Sequence, residues 1–396
     1  MATTHTETLA YPFNEEAGLA LNAAYAAARE GTGMVRVRMP HGDPAWLATR
    51  YADARLVLGD RRFSRALAQE SDEPRMSAYR RPGGILGMDP PDHTRLRTLV
   101  AKAFTARRVE ELRPRVARLA GELIDQLRRH GQPADLVDLY ALPIPVAVIC
   151  ELLGVPVADR PQFREWSDAA LSSTRLTAEE SERSRAELRA YMAGLIAEHR
   201  AQPQDDLMTA LIEARDVRDR LSELELVDLC VGILVAGHET TASQIPNFVY
   251  ALLDQREYWD RLCADPGLIP TAVEELLRFV PLGAGANFAR YATEDVEVGD
   301  VLVRKGEPVL VAIGAANRDR LQFSDADGLT LDRGDNHHLG FGHGVHHCLG
   351  APLARLELQE ALRALTREMP GLRLAGDVAW KTQMLVRGPR SMPIGW

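Results

Sequence analysis

The chain has 396 residues, of which 46% are hydrophobic and 26% charged, the composition of an ordinary globular protein. This excludes a disordered, collagen-like or disulfide-scaffold chain. Its 47 basic and 56 acidic residues give a net charge of −9, which argues against nucleic-acid binding.

Only Lys102, Lys305 and Lys381 among the basic residues are lysines. The arginine bias suits carboxylate recognition, and a GC-rich genome gives it equally. The opening MATTHTETLAYPFN lacks the basic-then-apolar pattern of a signal peptide. The apolar run Leu229 to Gly237 is shorter than the ~20 residues of a membrane span. A cytoplasmic protein with no membrane attachment is expected. Cys150, Cys230, Cys263 and Cys348 form no C-x-x-C pair, so no zinc ribbon or redox dithiol is signalled. Cys150 and Cys230 sit in apolar runs and read as core residues.

In chain order, small strands are expected near 30–60. A helix-rich body follows over about 92–280, with three- and four-residue apolar spacing at 106–130, 179–200 and 221–255. Asp92, after two prolines, reads as a helix cap. Ser222-x-x-Glu225 forms a capping-box pattern, and Pro246 predicts a kink in the long helix. Valines alternate with polar residues over 287–313 and read as short strands. A glycine- and histidine-rich loop occupies 339–350, a helix 351–369, and strands 370–396. The elements do not alternate as βαβ units. The expectation is therefore a single domain, 1–396, mainly α with a minor β region (α+β).

Four clusters carry chemistry. His93 and Arg97 are i, i+4 neighbours and share one helix side; they suit carboxylates, or a solvated basic helix. Arg95, Arg97, Lys102, Arg107 and Arg108 follow with no acid between Thr94 and Arg108. In the long helix, Ala236-Gly237-His238-Glu239-Thr240-Thr241 is locally weak, since glycine costs ~1 kcal/mol there and threonine bonds back to the i−4 carbonyl. It reads as a plain weak turn, or as a groove for a small molecule flanked by an acid and an alcohol. Glu275 and Arg278 share a helix face as an ion pair.

The fourth cluster is the loop Leu339-Gly-Phe341-Gly-His343-Gly344-Val-His346-His347-Cys348-Leu-Gly350-Ala-Pro352. Pro352 suits a first helical turn, so Cys348 falls just before a helix N-terminus, where free amides stabilise a thiolate. Three readings stay open on the residues alone. One is an iron thiolate approaching a flat macrocycle, another a zinc site with His343, His346 and His347, and the third an inert turn.

This loop resembles the F-x-x-G-x-x-x-C-x-G signature of the cytochrome P-450 monooxygenases, through Phe341, Gly344, Cys348 and Gly350. The other motifs fall in the family's order, and the resemblance covers about Tyr11 to Trp396. It implies the family's fold, with haem b between the long central helix and the cysteine-loop helix and with Cys348 as axial metal ligand. It implies that His93, Arg97, Arg290 and His346 meet the haem propionates. Glu239 and Thr240 become the acid–alcohol pair, Thr240 holding oxygen and its water and Glu239 relaying protons from outside. Glu275 and Arg278 become the structural E-x-x-R motif, with Arg333 the candidate third partner. Pro246, Arg320 and the segment 323–329 depart from the family pattern.

Alignment to the family puts Val235, Ala236, Ala286, Asn287, Met384 and Leu385 around a hydrophobic small-molecule substrate. The text leans toward actinobacterial members that tailor polyketides and macrolides by hydroxylation or epoxidation. Implied partners are dioxygen, and a ferredoxin with its NAD(P)H-dependent reductase docking on the 95–108 face; the protein is expected to be a monomer. The alternatives are a haem-thiolate sensor without turnover and a zinc protein.

Overall fold

The structure is a computed structural model, in which residues 8–14, 17–78, 80, 83–172, 176–217, 220–283 and 285–396 are described. Its longest helix is Glu223–Asp254. Ser222 starts it: its hydroxyl accepts from the Glu225 amide, and the Glu225 carboxylate accepts from the Ser222 amide at 2.7 Å. This reciprocal cap satisfies amides that a first turn leaves free. Leu226, Cys230, Leu234, Ile245 and Phe248 are all buried, so the helix runs through the interior of the helical body. It packs against Pro143–Leu152, Ala178–Ala201 and Ala351–Glu368. Pro246 does not end it; Phe248, Val249 and Leu252, fully buried, hold the turns beyond.

Two expectations at helix ends are corrected. The pattern over 106–130 is two helices, Ala106–Glu111 and Arg113–His130, because Pro114 occupies the first turn of a new one. Pro91, rather than Asp92, holds the cap position before Asp92–Ala101, with no side-chain cap bond. Asp92 is the first helical residue, where a carboxylate still favours the helix dipole.

The region near 30–60 contributes two strands, Met34–Arg38 and Ala45–Ala48, and then a helix, Tyr51–Gly59. In that helix Ala54, Val57 and Leu58 give a helical buried face. The strands join Leu9–Ala10, Pro308–Val311, Arg290–Ala292 and Phe63–Ser64 in one mixed sheet. Met34–Arg38 pairs antiparallel with Ala45–Ala48, which pairs parallel with Pro308–Val311. Near the C-terminus, Pro393–Gly395 lies between Arg373–Leu374 and Ala134–Asp135. Cys150 and Cys230 are fully buried in the helical core. No helix among the described residues is long and apolar enough to cross a membrane.

Candidate active site

The cysteine loop is tied down at several points. The Cys348 amide donates to the Phe341 carbonyl at 2.9 Å, and the Leu339 amide to Asn317 Oδ1 at 2.7 Å. Gly344 has φ +72°, and a Cβ there would meet the Leu58 carbonyl oxygen. Its need for glycine therefore comes from a left-handed turn pressed against Tyr51–Gly59. Burial pushes the Cys348 thiol up, while hydrogen bonds from the Gly350 and Ala351 amides and the charges of Arg97 and Arg355 oppose it. The residue keeps an exposed side. The sulfur thus sits with amides aimed at it and one open direction, a setting in which a metal cation's charge would favour the thiolate.

The zinc reading is overturned by geometry. His343 Nε2 lies 3.4 Å from Arg55 Nε, the His346 ring lies 4.3 Å from that of His93, and the His347 ring lies beside Phe341. Among the described residues no three His, Cys, Asp or Glu side chains converge on a metal position.

His93 and His346 are brought together with Arg290, and Arg97 turns toward the loop, donating to the His347 carbonyl at 2.6 Å. His93 Nδ1 and His346 Nε2 are buried without a hydrogen-bond partner. Burial, then the charges of His93, Arg290 and Arg65, hold His346 at about 3. Burial beside Arg65 brings Arg290 down to about 10. Arg65 was not anticipated from sequence; it pairs with Glu73 at 2.7 Å. So many donors, drawn together at a desolvation cost and short of acceptors, fit a group bearing carboxylates. The propionates of a haem meet that requirement.

On the central helix, the Thr240 hydroxyl donates to the Ala236 carbonyl at 2.8 Å, as the i−4 pattern predicts. Glu239 is buried and does not face outward. Its carboxylate receives the Lys381 ammonium and the Ser243 hydroxyl (3.2 Å), and Lys381 Nζ also donates to Ser243 Oγ at 3.0 Å. Burial would raise the Glu239 carboxyl, but Lys381, His238 and Ser243 hold it below the usual range. A relay from outside, as the family resemblance implied, would have to pass this closed ion pair. Gly237 does not shape the groove. A Cβ there would run into the Ile149 side chain, so it lets two helices approach. Sequence reasoning also missed Glu357, buried at 1% exposure, with one oxygen lacking a hydrogen-bond partner. Burial, moderated by a hydrogen bond with Thr241, raises it to about 8. Its signal in the sequence was an acid on the apolar stripe of Leu353, Leu356 and Ala361.

A cavity of about 510 Å³ opens against Val235, Ala236 and Thr240 of the central helix, with Gly340 of the cysteine loop on its wall. Ala286, Asn287 and Leu385 line it, as expected. Met384 does not: it is 4% exposed and absent from the lining, although its backbone bridges to Ser172, which does line the cavity. Val386 lines the cavity instead. Asn287 donates to the Gly285 carbonyl at 3.1 Å, and the Ala286 amide donates to the Tyr11 hydroxyl at 2.6 Å.

Glu275 and Arg278 are fully buried and paired at 2.7 Å. Arg333 is their third partner, its Nε 2.8 Å from Glu275, joined by Asn336 at 3.2 Å and the Thr330 amide at 2.8 Å. Arg278 also donates to the carbonyls of Asn317, Ala326 and Gly328. The cluster locks the helix Ile269–Phe279 to the segment leading into the cysteine loop. The basic stretch is less uniform than its sequence. Arg95 is paired with Glu225 at 2.5 Å and Arg97 turns inward, which leaves Lys102, Arg107 and Arg108 exposed.

The cytochrome P450 family model matches residues 160–265 and 267–368. Over 396 residues, 99% of this chain and 100% of the relative, the chain is 54% identical to mycinamicin IV hydroxylase/epoxidase of Micromonospora griseorubida. It is 50% identical to nocardicin C N-oxygenase of Nocardia uniformis subsp. tsuyamanensis, over 99% of this chain and 100% of that one. Superposition on the crystal structure of HinD with NMFT and NO gives a TM-score of 0.96 at 48% identity, covering 98% of this chain and 100% of that one. With a cysteine loop, a donor cradle and a threonine-lined cavity in one body, and with relatives this similar along its whole length, the chain belongs to the cytochrome P450 family.

Proposed function

We propose that this monooxygenase binds haem b through Cys348 and inserts one oxygen atom into a bulky, largely apolar secondary metabolite of the polyketide or macrolide kind. The observation that carries the cofactor assignment is the set of buried donors short of acceptors beside Cys348. In this reading His93, Arg97, Arg290 and His346 receive the propionates, while Phe341, Gly344 and Gly350 shape the ligand loop. Haem bound there supplies activation of dioxygen. The protein's own groups do the rest. The apolar wall of Val235, Ala236, Ala286 and Leu385 excludes water and orients substrate, with Asn287 as a polar contact. The hydroxylation and epoxidation of mycinamicin IV for which the Micromonospora relative is named support the substrate class.

Thr240 spends its one hydroxyl proton on the Ala236 carbonyl, so it faces the cavity as a hydrogen-bond acceptor. It holds a water or a protonated oxygen in place rather than giving up a proton. Thr240→Ala should bind substrate normally but lose about tenfold in product per electron consumed, the effect of one ~1.4 kcal/mol interaction. Hydrogen peroxide release should rise in step. A product-to-electron ratio equal to wild type removes Thr240 from this role.

Electrons come, in this reading, from a ferredoxin served by an NAD(P)H-dependent reductase, and the enzyme works as a cytoplasmic monomer. The ferredoxin would dock on the exposed Lys102, Arg107 and Arg108. Among the described residues Arg107 has one partner, the exposed Glu111 at 3.2 Å, a weak surface pair. Reversing Arg107 and Arg108 to Glu adds acids to the first turn of a short helix, which the helix tolerates. Ferredoxin association should slow about tenfold at low salt and lose most of its salt dependence. Turnover driven by hydrogen peroxide should not change. Equal association rates and salt slopes for variant and wild type would place docking elsewhere.

A further inference from the structure

The residues lining the cavity are mostly apolar, and among the described ones Arg185 alone carries a charge. It lies on the helix Ala178–Ala201, where Ser181, Ser184, Arg185 and Leu188 all line the cavity. Their i, i+3, i+4, i+7 spacing is one helix stripe. Two other arginines of the same helix are engaged: Arg189 pairs with Asp228, and Arg200 with Asp216 and Glu223. Arg185 makes no hydrogen bond or ion pair among the described residues, and neither do the hydroxyls of Ser181 and Ser184 make hydrogen bonds.

A half-buried guanidinium beside an apolar cavity is costly unless something pairs with it. No Asp or Glu among the described lining residues does so. A ligand is therefore left to bring the acceptor. Guanidinium presents a planar fork that matches two carboxylate oxygens, and two flanking hydroxyls suit the remaining lone pairs.

We infer that Ser181, Ser184 and Arg185 form an oxyanion-binding end of the substrate site, and that the substrate carries a carboxylate there. This rests on the reading of the cavity as the substrate site of a haem enzyme. The carboxylate would anchor at this helix while the apolar remainder lies along Val235 and Ala236. The same arrangement selects against substrates with a cationic amine at that end, since like charge in a poorly solvated cavity repels.

The test uses holoenzyme and probes that anchor through an imidazole, whatever the natural substrate. These are imidazolyl-undecanoic acid, its methyl ester and imidazolyl-undecylamine, with phenylimidazole as a control, each titrated by the change in haem absorbance. The acid should bind about tenfold more tightly than the ester, the scale of a charge-assisted pair, and the amine more weakly than both. Arg185→Gln should erase the preference for the acid, and Arg185→Lys should keep part of it as a point charge. Acid and ester binding alike in wild type, an acid that does not bind, or an undiminished preference in Arg185→Gln each overturn the inference. Failure of phenylimidazole to shift the spectrum would instead overturn the haem reading itself.

Discussion

Cys348→Ser should yield a folded protein without the strongly red-shifted Soret band that a thiolate-ligated haem shows in its reduced carbon monoxide complex. The loop does not depend on sulfur for its shape. It is held by the Cys348 amide to Phe341, by Leu339 to Asn317, and by the left-handed Gly344 against Leu58. A serine oxygen can still accept the Gly350 and Ala351 amides that now reach the sulfur. What it cannot do is ionise near neutral pH or donate electron density as a thiolate does. Haem retention should fall by more than the about 10–100-fold typical of outer contacts to a ligand, since only the propionate donors remain. Monooxygenase activity should drop to background. Thermal unfolding of the protein without haem should be close to wild type, which separates ligand loss from misfolding. A variant that keeps the red-shifted band would show that another residue ligates the iron.

The parts of this site legible in the sequence are those written in consecutive residues. Cys348 announced itself because glycines, Pro352 and the helix that follows are local devices, as is the Ser222–Glu225 cap. The Glu275–Arg278 pair was visible for the same reason. Its third member, Arg333, lies 58 residues after Glu275 in the chain and was a candidate until packing brought it to 2.8 Å. Lys381 and Glu239 are separated by 142 positions, and nothing in either stretch of sequence points to the other. Charge patterning misled where a short basic stretch is divided between two helices and several faces. Arg95, Arg97 and Arg107 look alike in sequence, yet one pairs with Glu225, one turns toward the haem loop and one faces solvent. Gly237 looked like a groove residue because glycine is poor helix material. The approach of Ile149, a long-range contact, is the actual reason for it. Met384 and Leu385 are adjacent, yet of the two only Leu385 lines the cavity, and nothing in their local sequence distinguishes them.

The ion pair that sequence could not show also sets the other large expected effect. Lys381 reaches from the C-terminal hairpin to Glu239 on the central helix, and both side chains are almost wholly buried, at 7% and 2% exposure. Lys381→Met keeps most of the side-chain volume and removes the cation. Burial, the largest influence on Glu239, would then go largely unopposed, with Ser243 and His238 the remaining favourable contacts. In the wild type the carboxyl sits below its unfolded value. Its contribution to stability is therefore present above that unfolded value and fades as pH falls through the lower folded one. In the variant the folded value is raised, so a penalty grows as pH climbs above the unfolded carboxyl range of about 4.3. Wild type and Lys381→Met should be similar in stability near pH 4 and diverge to about 3 kcal/mol by pH 7, the scale of breaking a buried pair. Lys381→Arg should preserve most of the stability, and Glu239→Gln added to Lys381→Met should recover most of the loss, because the buried charge is gone. Chemical denaturation at pH 4 and pH 7 measures all four proteins. Product per electron consumed should follow the same groups: it should become pH-dependent near neutrality in Lys381→Met, as Glu239 takes up a proton. In Lys381→Met with Glu239→Gln the coupling should be low and flat with pH. A stability gap that is constant with pH, or one that the glutamine does not relieve, would mean that Lys381 acts through packing and leaves the protonation of Glu239 to other groups.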